Sequence, residues 1–329
     1  MRSFHIKAGG GLTASTERPT PRPSAGQVLV RVMATSVNAR DRVIVAGRYA
    51  VPVPAGRIPL SDGAGVVEAV GEGVTRFGVG DSVMGTFHPD WVQGRFPGWG
   101  ELRGTQRDGW LAQYVAVDEQ SLVAVPDRLS FEEAATLPCA ALTAWSAVRG
   151  VGPGDTLLVQ GSGNVSLFAL QFGRSQGARV LATTSSAEKA RRLSALGASD
   201  VVDYTSTREW GARVHALTDG GVDRIVEIGG GAETVAQSVE AVAYGGQIAL
   251  VGNLASGGGM ELTRFFQRAA TLRSVSVGSR SDFEEMNRDI ARHRLTPVID
   301  RVIAFEEAPE VFAGVENRGH FGKVVISHG

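Results

Sequence analysis

The sequence predicts an α/β protein in which a doubly wound parallel sheet is inserted into a second, mostly β domain. Three observations carry this prediction. From Thr156 to Val277, short apolar runs alternate with segments of helical period, the βα repetition of an open parallel sheet. Before Pro126, short valine-rich runs are separated by glycine turns, with no long amphipathic helix among them. The chain has 329 residues, enough for two domains at about 100–200 residues each. The expected division is 1–126 for the β domain, 127–278 for the sheet domain, and 279–329 returning to the first.

Taken in order, Gln27 to Thr35 (QVLVRVMAT), Gly65 to Val70, Asp81 to Phe87 and Leu111 to Val117 read as strands of a small, partly opened barrel. Each is bounded by Gly, Pro, Asp or Asn. Between them His88 to Gly109 has no periodicity and carries Trp91, Phe96 and Trp99, so it is either a solvated excursion or a packed lid. Thr156 to Gln160 reads as a buried strand. Asn164 to Gln176 sets Val165, Phe168, Ala169 and Phe172 on one helix face. Strands follow at Val180–Thr183, Val201–Val202, Arg224–Ile228, Gln247–Val251 and Leu272–Val277. Helices alternate with them at Ala187–Leu196, Arg208–Leu217, Glu233–Ala243 and Thr263–Ala270. In the tail, Ser281 to His293 is helical, and Val302–Ile303 and Lys323–Ile326 return to strand.

Composition narrows the function. A net charge of -1, without basic runs, offers nucleic acid no attraction. The longest uncharged stretch, Ala134 to Val148, is interrupted by Pro138 and falls short of the ~20 residues of a membrane span. The N-terminal MRSFHIKAGG lacks the apolar core of a signal peptide. The single cysteine, Cys139, excludes an internal disulfide and fits a reducing compartment, so a cytoplasmic protein acting on a small molecule is expected. The 43 glycines cluster in turns between apolar runs.

The strongest local motif is Gly161-Ser162-Gly163-Asn164-Val165-Ser166, which follows a strand and opens a helix. A dinucleotide site needs its first glycine for a tight turn and its second so that backbone can approach a pyrophosphate. Its third position must be small for close helix–strand packing, and Ser166 stands there. The phosphates would rest on the helix N-terminus. At the end of the second strand Thr184, Ser185 and Ser186 supply no carboxylate for a ribose, while Lys189 could meet a 2′-phosphate. The alternative is that Ser185 caps a helix and Lys189 is solvated. NADP is therefore expected ahead of NAD.

Several longer motifs carry a resemblance. The run Gly63-Ala64-Gly65-Val66-Val67-Glu68-Ala69-Val70-Gly71, followed by Val79-Gly80-Asp81-Ser82-Val83, resembles the signature of the medium-chain dehydrogenase/reductase superfamily. Glu132 to Pro138 and Leu142-Thr143-Ala144-Trp145 resemble the helix entering its cofactor domain, and Gly319 to Val325 its closing strand. The likeness spans essentially the whole chain and is closest to the quinone-oxidoreductase-like and zinc-lacking alcohol-dehydrogenase-like members. It implies a Rossmann-type sheet inserted in a GroES-like catalytic domain.

The same resemblance assigns roles. Zinc-using members place a cysteine where this chain has Asn38, and a histidine and an acid where it has Ser61-Asp62. Asp62 keeps the acid and Cys139 stands at the third ligand position, so one carboxylate and one thiol remain. That leaves catalytic zinc short of its usual three protein ligands, so no zinc is expected and Cys139 reads as a small core residue. Asn38 would bond the substrate oxygen or the nicotinamide carboxamide. Asp41 could assist or could simply pair with Arg40 or Arg42. Thr143, Tyr204, Gly229, Val251, Gly252, Asn253, Gly278, Phe321 and Lys323 would contact the cofactor. The implied activity is NAD(P)H-dependent reduction of quinones, enones or activated carbonyls. Alcohol oxidation and a cofactor-binding protein with little turnover are the alternatives. A homodimer is expected through Leu272 to Val277, an edge strand without proline or a bulge-making glycine, the alternative being that Ser281 to His293 folds over that edge and leaves a monomer.

Overall fold

The computed structural model describes residues 1–15, 18–252, 262–313 and 319–329. The chain divides into two compact units, Met1–Leu142 with Val277–Gly329, and Thr143–Ser276. The expected boundaries at 126 and 278 thus become 142 and 276. The helical stretch after Pro126 belongs with the β unit, where it packs on the strands around Asp62 and Lys323.

In chain order the elements are β1 (Ser3–Ile6), β2 (Leu12–Ser15), β3 (Gln27–Val37), α1 (Ala39–Val45), β4 (Asp62–Val70), β5 (Ser82–Gly85), β6 (Tyr114–Asp118) and β7 (Leu122–Ala124). Then come α2 (Phe131–Ala134), a π-helical turn at Leu137–Ala141, and α3 (Leu142–Val148). The second unit runs β8 (Thr156–Gln160), α4 (Asn164–Ser175), β9 (Arg179–Thr184), α5 (Ala187–Ala195), β10 (Asp200–Asp203), α6 (Trp210–Leu217) and β11 (Val222–Glu227). It closes with α7 (Ala232–Ala241), β12 (Val242–Leu250), α8 (Leu262–Gln267) and β13 (Thr271–Ser274). The chain returns to the first unit through α9 (Arg280–His293), β14 (Ile299–Ala304), α10 (Ala308–Ala313) and β15 (Lys323–Ser327).

The first unit is built on a sheet ordered β14-β15-β3-β4-β5-β7, with β6 also paired to β3. Val28, Val30 and Val32 of β3 alternate into a core that includes Val67, Val83, Val117 and the fully buried Trp110. Trp110 lies in a slot made by two glycines. A Cβ on Gly63 would come within 2.5 Å of its ring, and one on Gly85 within 2.3 Å. The expected strand from Leu111 starts only at Tyr114, because the Trp110 and Leu111 amides donate to the carbonyls of Leu60 and Pro59 instead. The aromatic excursion after Phe87 is packed. His88 is buried with the rings of Phe87, Trp91, Phe96 and Trp99 around it, at centroid distances of 4.9 to 5.7 Å.

The second unit is a parallel sheet ordered β10-β9-β8-β11-β12-β13. Leu158, Leu181, Ile225 and Ile248 fill its core together with Val214 and Val239 from the covering helices. Burial of these strands on both faces explains their unbroken apolar runs. The strand order reverses between β8 and β11, the place where open sheets of this kind bind ligands. β13 is the outer strand and ends at Ser274, three residues before the expected limit at Val277. Among the described residues, no helix is long and apolar enough to cross a membrane.

Candidate active site

The reversal point of the second unit carries the glycine turn. Gly161 has φ +73, a left-handed conformation that favours glycine, and Gly163 stands at the N-cap of α4. Asn164 and Val165 open the helix, where free N–H groups suit an anion. Ser166 fills the third position without strain, since its hydroxyl donates to the Gln160 carbonyl at 2.6 Å. Beside the turn is a cavity of about 510 Å³ whose walls include Gly161, Tyr204, Arg208, Trp210, Gly229 and Thr234. The strand ends flanking it are tied by a buried carboxylate. Glu227 accepts from Gln160 Nε2 at 2.6 Å, from the Ser238 hydroxyl, and from the Gly230 amide at 3.0 Å. Gln160 Oε1 in turn accepts from the Ile228 amide at 3.0 Å. Val251 and Gly252 both donate their amides to the Glu227 carbonyl, and a Cβ on Gly252 would fall 1.5 Å from the Ile228 oxygen. Backbone approach that close admits only glycine.

The first unit holds a polar cluster in its interior. β3 pairs with β4 on one side (Ser36 opposite Asp62) and with β15 on the other (Val37 opposite Val324). That register brings Asn38, Asp62 and Lys323 together although they lie far apart in sequence. Lys323 is wholly buried, and its Nζ donates to Asn38 Oδ1 at 2.8 Å, to the Val37 carbonyl at 3.3 Å and to Asp62 Oδ2 at 3.4 Å. Asp62 also accepts from the Ser61 hydroxyl at 2.9 Å, while the Ser36 hydroxyl, 3.3 Å from it, gives its single hydrogen to the Ala135 carbonyl at 2.7 Å. Asn38 Nδ2 donates weakly to Ser61 Oγ at 3.4 Å. Asp41, fully buried, accepts from the Asn38 amide at 2.8 Å, while Arg40 stands 3.8 Å from its other oxygen. Burial is the main cause that raises the Asp41 carboxyl to about 6, with the Arg40 charge opposing it. Burial, reinforced by Asp62, holds the Cys139 thiol above its ordinary range.

The expected site residues therefore fall into two groups. Asn38, Asp41 and Lys323 come together in the first unit, so Lys323 points into the polar cluster. Phe321 lies in the same unit, buried, with its amide donating to Asp300 Oδ1 at 3.0 Å. Gly278 is buried just before the N-cap of α9. In the second unit Gly161, Tyr204 and Gly229 share the cavity wall, and Ser162 and Gly163 complete the turn. Thr143 is buried at the start of α3. Thr184 is buried at the end of β9 with its hydroxyl unpartnered, and Ser185 is exposed. The cap of α5 is Ser186, which accepts from the Lys189 amide at 3.3 Å. Lys189 is half-buried and does not line the cavity. Asn253 lies outside the described residues. Sequence reasoning missed Arg208, in the turn entering α6, and Trp210, the first residue of α6, and it missed Glu227. A carboxylate closing the apolar run at Ile225–Val226 was the available signal.

Comparison with known proteins agrees with this architecture. The family described as alcohol dehydrogenase GroES-like domain matches residues 24–127, and that described as zinc-binding dehydrogenase matches 165–292. A zinc-type alcohol dehydrogenase-like protein of Schizosaccharomyces pombe is 39% identical over 92% of this chain and 90% of its own length. A quinone oxidoreductase of Pseudomonas aeruginosa is 35% identical over 70% of this chain and 66% of its own. Among solved structures, an NAD-dependent alcohol dehydrogenase superposes with TM-score 0.90 at 35% identity, covering 100% of both chains. A cobalt- and zinc-bound alcohol dehydrogenase from Pyrobaculum aerophilum gives TM-score 0.84 at 28% identity, covering 100% of this chain and 99% of its own.

These matches correct the expected cofactors. The absence of zinc and the preference for NADP are both overturned, since the matching family is described by its zinc and the neighbours include a zinc-bound and an NAD-dependent enzyme. NADP is expected from the missing carboxylate and from Lys189, but Lys189 does not line the cavity and the exposed Ser185 hydroxyl suits a neutral ribose equally. The expectation of no zinc rests on Asp62 and Cys139 supplying only two of its usual three protein ligands, yet they retain the oxygen and sulfur donors that the family description implies. In this structure those donors are not gathered into a shell. Among the described residues no group of three or more His, Cys, Asp or Glu side chains could hold a metal, and the Lys323 ammonium stands against Asp62. The chemistry below is therefore derived from side chains alone. By fold, motif and relatives, the chain belongs to the medium-chain dehydrogenase/reductase superfamily, with the GroES-like and zinc-binding dehydrogenase domains of the alcohol dehydrogenases.

Proposed function

We propose that this oxidoreductase transfers hydride between a nicotinamide dinucleotide and a small carbonyl compound, with quinones, enones and activated aldehydes as its substrate class. The observation that carries the reading is the glycine turn at the reversal point of a parallel sheet, opening onto a cavity of about 510 Å³. The dinucleotide supplies the hydride. The protein supplies orientation, dryness and hydrogen bonds to the oxygen on which charge develops. Gly161 to Val165 would hold the pyrophosphate, and Thr184, Ser185, Lys189 and Tyr204 the adenosine half. Thr143, Gly229, Val251, Gly252, Asn253, Gly278 and Phe321 would attend the nicotinamide. Asn38 donates to the substrate oxygen, and Asp41 holds the Asn38 backbone in place.

A second reading, oxidation of an alcohol to its carbonyl, is favoured by the alcohol dehydrogenases among the relatives. Both are covered by one experiment. The protein is assayed with NADH and with NADPH against benzaldehyde, 2-cyclohexenone and 1,4-benzoquinone, and with the oxidised cofactors against benzyl alcohol. Turnover of the carbonyl compounds supports the first reading, and turnover of the alcohol alone supports the second. A protein that binds neither cofactor would refute both. The same reading includes cytoplasmic operation, which the single Cys139 suits, and a homodimer paired through the outer strand β13.

A further inference from the structure

We infer that Lys323 is a positioning residue that fixes which end of the Asn38 side-chain amide faces a ligand. This rests on the reading that Asn38 meets the substrate oxygen. An asparagine at a helix N-cap ordinarily turns its oxygen onto the amides of the first turn. Asn38 caps α1 in a capping box with Asp41, but its side chain makes no close hydrogen bond to the amides of the first turn, and its oxygen lies 2.8 Å from Lys323 Nζ. An ammonium has only donors, so the atom facing it must be the amide oxygen. Lys323 cannot turn away, because its other two contacts, the Val37 carbonyl and Asp62, take its remaining hydrogens.

The polarity then runs around a closed ring. Lys323 donates to Asn38 Oδ1 and to Asp62 Oδ2. Asn38 Nδ2 donates to Ser61 Oγ, whose hydrogen goes to Asp62 Oδ1. A cation that only donates and a carboxylate that only accepts fix the sense of every bond between them. A reversed amide would set NH₂ against NH₃⁺ and break the ring. One Nδ2 hydrogen is used on a long bond of 3.4 Å, and Nδ2 donates to no other group among the described residues. The ring therefore presents a donor, and selects ligands that bring an acceptor oxygen such as a carbonyl.

The five asparagines can be labelled selectively with ¹⁵N, and the Asn38 pair assigned by its loss in Asn38→Ala. In the unmodified, ligand-free protein the Nδ2 hydrogens should show Overhauser contacts to the Ser61 Hβ and none to the Lys323 Hε. Contacts to Lys323 instead would overturn the inference. The effect of the ammonium is isolated by comparing Asp62→Asn with Lys323→Met/Asp62→Asn, which carry the same side chain at 62. The double variant should lose the single orientation. Its kcat on the fastest carbonyl substrate of the panel should fall at least tenfold below that of Asp62→Asn, with KM for the nicotinamide cofactor unmoved. Lys323→Arg, which also only donates, should retain the orientation. Unchanged contacts and kcat in the double variant would overturn the proposal, and should that variant not fold, the contacts in the unmodified protein decide. If those contacts are as expected but Asn38→Ala keeps full turnover, Lys323 still orients the amide, and the reading of Asn38 as the substrate contact is what fails.

Discussion

Replacing Lys323 by methionine tests whether the buried cluster is ionic. Methionine keeps the length and apolar stem but removes the charge, leaving Asp62 wholly buried without its cation. Removing one partner of a buried pair generally costs about 3–5 kcal/mol, because the other charge stays desolvated. The Ser61 hydroxyl still donates to Asp62 at 2.9 Å and offsets part of that loss. The Asn38 oxygen and the Val37 carbonyl also lose their donor, adding back about 1–3 kcal/mol. The expected loss is about 3 kcal/mol, read from urea unfolding by intrinsic fluorescence at pH 7. Adding Asp62→Asn removes the stranded charge, so the double variant should recover at least half of the loss. A single variant within about 0.5 kcal/mol of the parent, the range of an ordinary surface change, would refute the buried ion pair. So would a double variant less stable than the single.

Three further outcomes follow from other parts of the molecule. Because burial raises the Asp41 carboxyl to about 6, the folded state holds that proton more tightly than the unfolded chain. Its destabilising effect is absent below about pH 4, grows as pH rises from 4 to 6 and is complete above 6, reaching about 3 kcal/mol. Asp41→Asn should flatten that part of the stability profile, and an unchanged slope would contradict the assignment. Gly252→Ala, which sets a Cβ 1.5 Å from the Ile228 oxygen, should cost about 3 kcal/mol or more and abolish NADH binding in calorimetry. A stable variant that still binds would show that the strand end can yield. If the dimer forms through β13, the amides turned outward are those of Leu272 and Ser274, since the Val275 amide donates inward to Leu250 at 2.9 Å. Ser274→Pro should then give a folded monomer by light scattering, near the 34.6 kDa of one chain, and a dimeric Ser274→Pro variant would move the interface elsewhere.

What the sequence made legible was local. The βα alternation reproduced the parallel sheet because buried strands and helix faces have distinct periods, and the Gly161 turn was readable because strand, turn and helix are contiguous. The polar cluster was not readable in the same way. Lys323 and Asn38 are 285 residues apart, and only the pairing of β15 with β3 brings them together. In sequence Lys323 is one cation at the head of an apolar strand, which reads equally as a phosphate contact. Arg208 and Trp210 escaped notice for a related reason, since a cavity wall gathered from four strand ends has no spacing of its own. The cofactor expectations failed where a single class of residue was made to decide between ligands. A missing carboxylate at Thr184 and missing ligands at Asn38 and Ser61 describe what those positions lack, not what the whole fold can hold.

The central claim, that this chain moves hydride from a nicotinamide dinucleotide to a small carbonyl compound, is tested most directly by stereospecific deuterium transfer. The protein is incubated with 4-deuterated NADH or NADPH and each carbonyl compound of the panel, and the product is examined by mass spectrometry. The account predicts one carbon-bound deuterium per molecule of aldehyde or enone product, from one face of the nicotinamide only, and loss of that transfer in Gly252→Ala. Cofactor that binds with no deuterium reaching the aldehyde or enone product, and with no hydroquinone formed from the quinone, would contradict it.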